Sequence, residues 1–263
     1  MALNPIYTPE NTKPVYDLHY SWVGWLKNKA RFPDSLSAGI QQCKSLWGSE
    51  GIDLENWDEC GNQLQILLKV TSSISPAFFN QRLKGRLQYV LRKLGSPVDF
   101  KRNNGFRSIG KNTREIVQAY IAKQSSKSDY IDPKFKEWLG QFHIDNRSVL
   151  LREADATGHG RYWYALHLVI VVENRDFPME RKDTFKKARD CSLAIAKKKG
   201  FEIAELFVMP DHIHIALRGD IEYSPQKIAL SFLNNLSYVF GYNKVWSEEY
   251  YVGTFGEYRL DQI

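Results

Sequence analysis

The chain has 263 residues, of which 43% are hydrophobic, and its formal net charge is +6 at pH 7. This length suits one large domain or two of ordinary size. No apolar run approaches the eighteen or so residues of a membrane span, and the first residues lack the pattern of a secretory signal. The 3 cysteines are widely spaced, which argues against a disulfide framework or a zinc cluster. We therefore expect a cytoplasmic protein without a membrane partner.

The first half predicts alternating strands and helices. In chain order these are a strand near residues 16–25, a helix at 34–48, strands at 51–59 and 62–70, and a helix from Ser75-Pro76 to about 93. Serine as N-cap followed by proline at the first helical position is a typical helix start. After Gly110, Asn112 or Thr113 can cap a further helix. Residues 125–160 are polar and predict an irregular connection.

The second half predicts the same order of elements. A strand at 162–172 is followed by a helix at 181–199 that ends at Gly200, strands at 201–208 and 212–217, and a helix opened by Ser224-Pro225. The order β-α-β-β-α implies an antiparallel-rich sheet with helices on one face. We therefore predict an α+β protein with two ferredoxin-like (RRM-like) units, at residues 1–124 and 161–263, joined by a linker at 125–160.

The two halves also match each other in sequence. When the chain is shifted by 149 positions, Gly51 falls on Gly200, residues 62–66 fall on residues 211–215 without a gap, and Ser75-Pro76 falls on Ser224-Pro225. Self-similarity at a fixed offset is the signature of internal duplication. The repeat predicts a monomeric chain that folds as an intrachain pseudodimer.

Basic residues are concentrated in both halves. Solvated helix faces explain many such clusters. Aromatic residues interleaved with the basic ones also favour a nucleic-acid partner, whose phosphates the basic side chains would contact. The candidate DNA-binding residues are Arg82, Lys84 and Arg86 on a predicted helix, Lys101, Arg102 and Arg107 in the loop that follows, and Lys186 and Lys187 on the helix at 181–199.

Two histidines flank one apolar residue in the strand that begins at residue 212. Alternate side chains of a strand share a face, so His212 and His214 project together while Ile213 points into the core. Two imidazoles on one face can bind a divalent metal. The alternative is a pair of surface histidines on an edge strand.

A tyrosine and a glutamine share a face of the helix predicted after Gly110. Tyr120 and Gln124 are four residues apart, which places them on the same side of a helix. The plain alternative is a half-buried tyrosine beside a solvated glutamine. A tyrosine can also act as a nucleophile on a phosphodiester, and the Gln124 carbonyl could reach a metal bound nearby.

These motifs resemble one family. The segment Met209-Pro210-Asp211-His212-Ile213-His214 resembles the His-hydrophobic-His motif of the single-tyrosine HUH transposases. With the related REP-associated tyrosine transposases, these enzymes cut and rejoin single-stranded DNA at hairpins. Ser108-Ile109-Gly110, followed by Tyr120 and Gln124, resembles the nucleophile helix of that family. The resemblance covers residues 16–124 and 162–263 and implies a metal-dependent enzyme with a 5′-phosphotyrosine intermediate.

Each half departs from the family pattern in one respect. The first half has Gln63 and Gln65 where the histidines should be, and neutral amides are poor metal ligands. The second half reaches Ile263 before position 266, where its own tyrosine would fall. Tyr258 is too close to Gly256 to take that place on a helix.

Many family members are homodimers in which the tyrosine helix of one subunit lies beside the histidines of the other. The resemblance therefore implies one composite site, with Tyr120 as nucleophile and His212, His214 and Gln124 as metal ligands. Two alternatives remain open. The protein could be a domesticated hairpin-binding protein that no longer cleaves, or a truncated form of a two-tyrosine transposase.

Overall fold

The part of the chain that the structure describes forms two six-stranded sheets with helices packed against them. The computed structural model describes residues 4–28, 31–126, 133–157, 160–175, 182–241 and 243–259. The first half contains β1 (Lys13–Asp17), β2 (His19–Leu26), α1 (Leu36–Ser49), β3 (Ile52–Cys60), β4 (Gln63–Val70), α2 (Pro76–Lys93), β5 (Phe100–Ile109) and α3 (Arg114–Ala122). The connection contains α4 (Pro133–Gly140), β6 (Ile144–Asp145) and β7 (Asp155–Thr157). The second half contains β8 (Gly160–Trp163), β9 (Ala165–Val172), α5 (Lys182–Lys199), β10 (Glu202–Val208), β11 (His212–Arg218), α6 (Pro225–Leu236) and β12 (Trp246–Thr254).

The predicted α+β class with two ferredoxin-like units is confirmed. The strand order is β3-β4-β2-β5-β8-β7 in the first sheet and β1-β12-β9-β11-β10-β6 in the second. The helix starts also follow the sequence prediction, since Ser75 Oγ accepts from Phe78 N and Ser224 Oγ accepts from Lys227 N. Gly51 and Gly200 have positive φ angles of 80° and 73° in equivalent positions, directly after the segments of α1 and α5.

Each half contributes one strand to the sheet of the other half. The strands predicted at 16–25 and 162–172 are both interrupted, at the buried residues Leu18 and Tyr164. The piece before the interruption crosses over, so that β1 pairs in parallel with β12 and β8 pairs in parallel with β5. The exchange is reciprocal, as a two-fold relation between the halves requires, and it joins the two sheets.

The halves meet where β5 and β12 end, through a reciprocal pair of hydroxyl groups. Ser108 Oγ accepts from Ala165 N at 3.0 Å, and Thr254 Oγ1 accepts from His19 N at 2.8 Å. Two glycines permit this approach. A Cβ on Gly110 would lie 2.1 Å from Thr254 O, and a Cβ on Gly256 would lie 2.2 Å from Ser108 O.

The structure differs from the sequence predictions in three respects. Strands β5 and β12 were not predicted, and Lys101, Arg102 and Arg107 lie in β5 rather than in a loop. Residues 125–160 are not uniformly irregular, because α4, β6 and β7 lie within them and β6 pairs with β10. Residues 127–132 and 158–159 of this connection, residue 181 of the predicted helix, and Ile263 lie outside the described residues. In the part of the chain that is described, no helix has the length and apolar character to cross a membrane.

Candidate active site

Three histidines share one face of the second sheet. His212 lies opposite Val171, His214 opposite Val169, and Ala216 opposite His167, and directly opposed residues in antiparallel strands project to the same side. Ile213, between the two predicted histidines, is fully buried in the opposite face, as the alternation predicted. His167 on β9 is the site residue that sequence reasoning missed.

Each histidine of the pair on β11 is held through its Nδ1 atom. The Asp211 carboxylate lies 2.6 Å from His212 Nδ1, and His167 Nε2 lies 3.2 Å from His214 Nδ1. Burial lowers the pKa of His167 to about 4, so this imidazole is neutral at pH 7. A proton on each Nδ1 atom would place the lone pairs of His212 and His214 on Nε2, the arrangement that polar partners impose on metal-binding histidines.

Helix α3 leaves the first half and lies on the second sheet. A hydrogen bond holds the start of α3 against the second half, since Arg114 N donates to Gly256 O at 2.8 Å. Farther along the helix, the side chains of Val117 and Ile121 are buried. The Tyr120 side chain is 45% exposed, and its ring lies edge-on to His214 with the ring centroids 5.4 Å apart. The structure therefore brings the tyrosine of the first half beside the histidines of the second.

Tyr120 and His214 both face an open cavity between α3 and the sheet. Its volume is about 430 Å³, and its wall also includes His167, whose ring centroid is 6.1 Å from that of Tyr120. Tyr251 of β12 closes the side of the cavity next to His167. The tyrosine hydroxyl is thus reachable from solvent on the face that carries the histidines.

Gln124 lies in the short 3-10 turn that follows α3, Lys123–Ser126, and is fully buried. Its Nε2 donates to Tyr120 O at 3.0 Å, while its buried Oε1 accepts no hydrogen bond from any residue that the structure describes. A buried carbonyl oxygen of this kind fits the chemistry of a divalent-metal ligand, as do the two imidazoles. Among the described residues, no three His, Cys, Asp or Glu side chains form a cluster that could hold a metal ion.

A buried carboxyl group lies under α3 on the same sheet face. Glu205 of β10 is only 5% exposed, and Gln118 of α3 makes a hydrogen bond with its side chain. Burial, reinforced by the nearby Asp145, raises the pKa of Glu205 to about 7. The docking of α3 thus covers a group whose charge changes near neutral pH.

The basic residues predicted to bind DNA lie apart from the histidines. Arg82 and Arg86 pair with Glu50, and Lys84 donates to the backbone carbonyls of Lys101 and Arg102. Burial also lowers the pKa of Lys84 to about 8. Lys186 and Lys187 are exposed on α5. Arg107 lines a larger cavity in the first sheet.

Comparison with known proteins supports the predicted resemblance for the second half of the chain. The family model described as "Transposase IS200 like" matches residues 161–263, which contain His212, His214 and His167. Over these residues the chain is similar to IS200-like transposases, the family predicted from the histidine motif. No curated protein matches the chain.

Solved structures resemble the chain only distantly. A putative transposase from Deinococcus radiodurans has 20% identity and a TM-score of 0.33, over 37% of this chain and 82% of that one. A REP-associated tyrosine transposase bound to a REP hairpin has 16% identity and a TM-score of 0.30, over 35% of this chain and 56% of that one. The regulatory subunit of aspartate kinase from Thermus flavus has 11% identity and a TM-score of 0.22, over 85% and 94%.

Proposed function

We propose that the protein is a metal-dependent enzyme that nicks single-stranded DNA at hairpins and transfers the cut strand, using one composite active site. The observation that carries this proposal is the position of Tyr120 of the first half, 5.4 Å from His214 of the second half between ring centroids. A solvent-reachable phenol beside paired imidazoles is the donor set that this chemistry needs. The hairpin substrate is the one that the family resemblance implies.

In the proposed reaction, the Tyr120 oxygen attacks the phosphorus of a phosphodiester. The bond from phosphorus to the 3′ oxygen breaks, the phenol proton passes to water, and the leaving oxygen takes up a proton to become a free 3′-hydroxyl. The products are a 5′-phosphotyrosine and a 3′-hydroxyl end. Because the covalent link conserves the energy of the phosphodiester, a second 3′-hydroxyl can reverse the attack and join new strands.

His212, His214 and Gln124 are the residues proposed to hold a divalent metal, Mg²⁺ or Mn²⁺. When bound, such a metal polarises the phosphate and stabilises charge on the leaving oxygen. The protein's own part is orientation. Asp211 and His167 fix the two imidazoles, and the hydrogen bond from Gln124 to Tyr120 O ties the glutamine to the turn of helix that carries the nucleophile.

The direct test uses one hairpin oligonucleotide labelled at either end. Incubation with Mn²⁺ is expected to shift the 3′-labelled strand into a covalent protein band on a denaturing gel, and to shorten the 5′-labelled strand. Tyr120→Phe should abolish both changes while leaving hairpin binding within about twofold, since it removes one oxygen. Tyr238→Phe is the matched control because Tyr238 is 49% exposed, close to the value for Tyr120.

Two outcomes would overturn the proposal. Binding of the hairpin without any cut would indicate the non-cleaving hairpin-binding protein instead. A covalent band that carries the 5′ label would mean that the opposite bond of the phosphodiester breaks.

A further inference from the structure

The first sheet contains a cleft that the proposed active site does not use. It is a cavity of about 670 Å³ over the sheet face that corresponds to the histidine face of the second sheet. Its wall combines residues of β2, β4, β5 and β8 with Tyr258 from the segment after β12. The volume lies in the range of about 300–1,000 Å³ that is typical of small-molecule sites.

Two positions on the floor of the cleft carry smaller residues than the equivalent positions of the second sheet. Val23 lies opposite Gln65 and Gly105 in the first sheet, as Val169 lies opposite His214 and Tyr251 in the second. Gly105 therefore takes the place of Tyr251. By the same register, Ser21 takes the place of His167.

Two arginines give the cleft a positive charge. The Arg107 guanidinium carbon lies 4.6 Å from the ring centroid of Trp163 and 5.6 Å from that of Tyr258. Arg161, on the neighbouring strand, is exposed and also lines the cleft. Neither arginine forms an ion pair with any residue in the described part of the chain. A stacked guanidinium keeps its N–H edge for a phosphate, which it can bind through two hydrogen bonds.

Two amides on the same floor are held in fixed orientations. Trp25 Nε1 donates to Gln63 Oε1 at 3.2 Å, and Gln65 Nε2 donates to Ser21 Oγ at 3.1 Å. These bonds do not use the Gln63 amide nitrogen or the Gln65 carbonyl oxygen. The Gln63 amide nitrogen can therefore donate to the edge of a base, and the Gln65 carbonyl oxygen can accept from it. Glutamine side chains recognise bases in nucleic acids through hydrogen bonds of this kind.

We propose that this cleft is a second, non-catalytic site, which binds one or two nucleotides of single-stranded DNA. Arg107 and Arg161 each bind one of two neighbouring phosphates, an unpaired base stacks on the aromatic wall, and the edge of that base meets the two glutamines. The positive charge, the aromatic surface and the amide groups of the cleft together match the phosphate and the base of a nucleotide. That the nucleotide belongs to DNA rests on the proposed function. The site that has lost its metal ligands thus holds the strand while the other site acts on it.

The test measures binding of a fluorescein-labelled oligo-dT of ten nucleotides by anisotropy, without divalent metal. The full chain carries His212→Ala and His214→Ala throughout, so that binding at the catalytic face is weakened equally in every sample. Adding Arg107→Gln and Arg161→Gln is expected to lower the affinity at least about tenfold. The slope of log affinity against log salt should fall by about 1.4, because each phosphate contact to a single strand contributes about 0.7.

The matched control adds Arg92→Gln and Arg147→Gln, which remove the same charge from exposed positions outside the cleft. This control should change the affinity less than twofold. If the double cleft variant does not fold, Arg161→Gln alone can replace it, since the Arg161 side chain is exposed. This variant removes one of the two phosphate contacts and should give half of the slope change. An unchanged affinity and slope in a folded cleft variant, or an equal loss in the control, would overturn the proposal. The result does not depend on cleavage, so a protein that binds here but never forms a covalent adduct would contradict only the proposed enzymatic function.

Discussion

At the scale of single residues, the histidines of β11 depend on neighbours that fix their rings. Asp211 holds His212 and His167 holds His214, each through Nδ1. Such partners typically change metal affinity about 10–100-fold when they are removed. Replacing the two proposed ligands, His212 and His214, should therefore reduce metal binding more than replacing the supporting residue His167.

We expect His212→Ala/His214→Ala to abolish Mn²⁺ binding measured by calorimetry at pH 7.5. His167→Phe, which keeps a ring of similar size, should weaken binding about tenfold because it removes the partner of His214 Nδ1. Tyr120→Phe is the control and should bind Mn²⁺ as the wild type does. Equal Mn²⁺ affinity in the wild type and the double alanine variant would refute the metal site.

The sequence predicted part of this site and missed the rest for a physical reason. His212 and His214 are two residues apart in one strand, so the alternation of side chains is enough to place them on one face. His167 is distant in sequence, and it reaches His214 only through the register between β9 and β11. Its one local sign is a polar residue in the otherwise apolar strand Ala165–Val172.

At the scale of secondary-structure elements, α3 is held on the second sheet partly by an ionisable contact. Gln118 makes a hydrogen bond with Glu205, whose pKa is raised to about 7 by burial. A carboxyl group whose pKa is higher in the folded protein keeps its proton while the unfolded chain loses it. The stability that it contributes is therefore present at low pH and falls as the pH rises from about 4.5 to about 7.

Glu205→Gln should remove this pH dependence. The amide is never charged and can still bond to Gln118, so the free energy of unfolding at pH 8 should rise by about 3 kcal/mol, with little change at pH 4.5. Urea unfolding at both pH values measures the difference. Glu202→Gln on the same strand is the control, since its carboxylate is half exposed and pairs with Arg218. An equal effect of Glu205→Gln at pH 4.5 and pH 8 would contradict this assignment of the charge.

Most elements of the fold could be predicted from local signals, but the exchanged strands could not. Ser75-Pro76 and Ser224-Pro225 marked both helix starts correctly. Strand β5 was missed because its first residues, Lys101 to Asn104, are polar and largely exposed. The crossing of β1 and β8 depends on partners more than fifty residues away in sequence, β12 and β5, which no local pattern specifies.

At the scale of the whole molecule, the two halves are joined where Gly110 and Gly256 allow β5 and β12 to approach. Gly110→Ala would place a methyl group 2.1 Å from Thr254 O, and Gly256→Ala would place one 2.2 Å from Ser108 O. Because both obstacles are backbone atoms, each variant should lose about 2 kcal/mol or more of unfolding free energy in urea.

Gly85→Ala in α2 is the matched control for these two substitutions. Its Cβ would meet nothing within 4 Å, and alanine favours a helix over glycine by about 0.5–1 kcal/mol. This variant should therefore be slightly more stable than the wild type. Gly110→Ala and Gly256→Ala variants as stable as the wild type would show that the halves can separate at this junction without cost.

We predict a single active site within one chain, and mixing two inactive variants tests this most directly. Tyr120→Phe lacks the proposed nucleophile, and His212→Ala/His214→Ala lacks the proposed metal ligands, while α3 lies on the second sheet of its own chain. With the 3′-labelled hairpin and Mn²⁺, the wild type should form the covalent band, and neither variant should form it, alone or in an equimolar mixture. A covalent band from the Tyr120→Phe variant alone would contradict the nucleophile, and a band that appears only in the mixture would contradict the single-chain site.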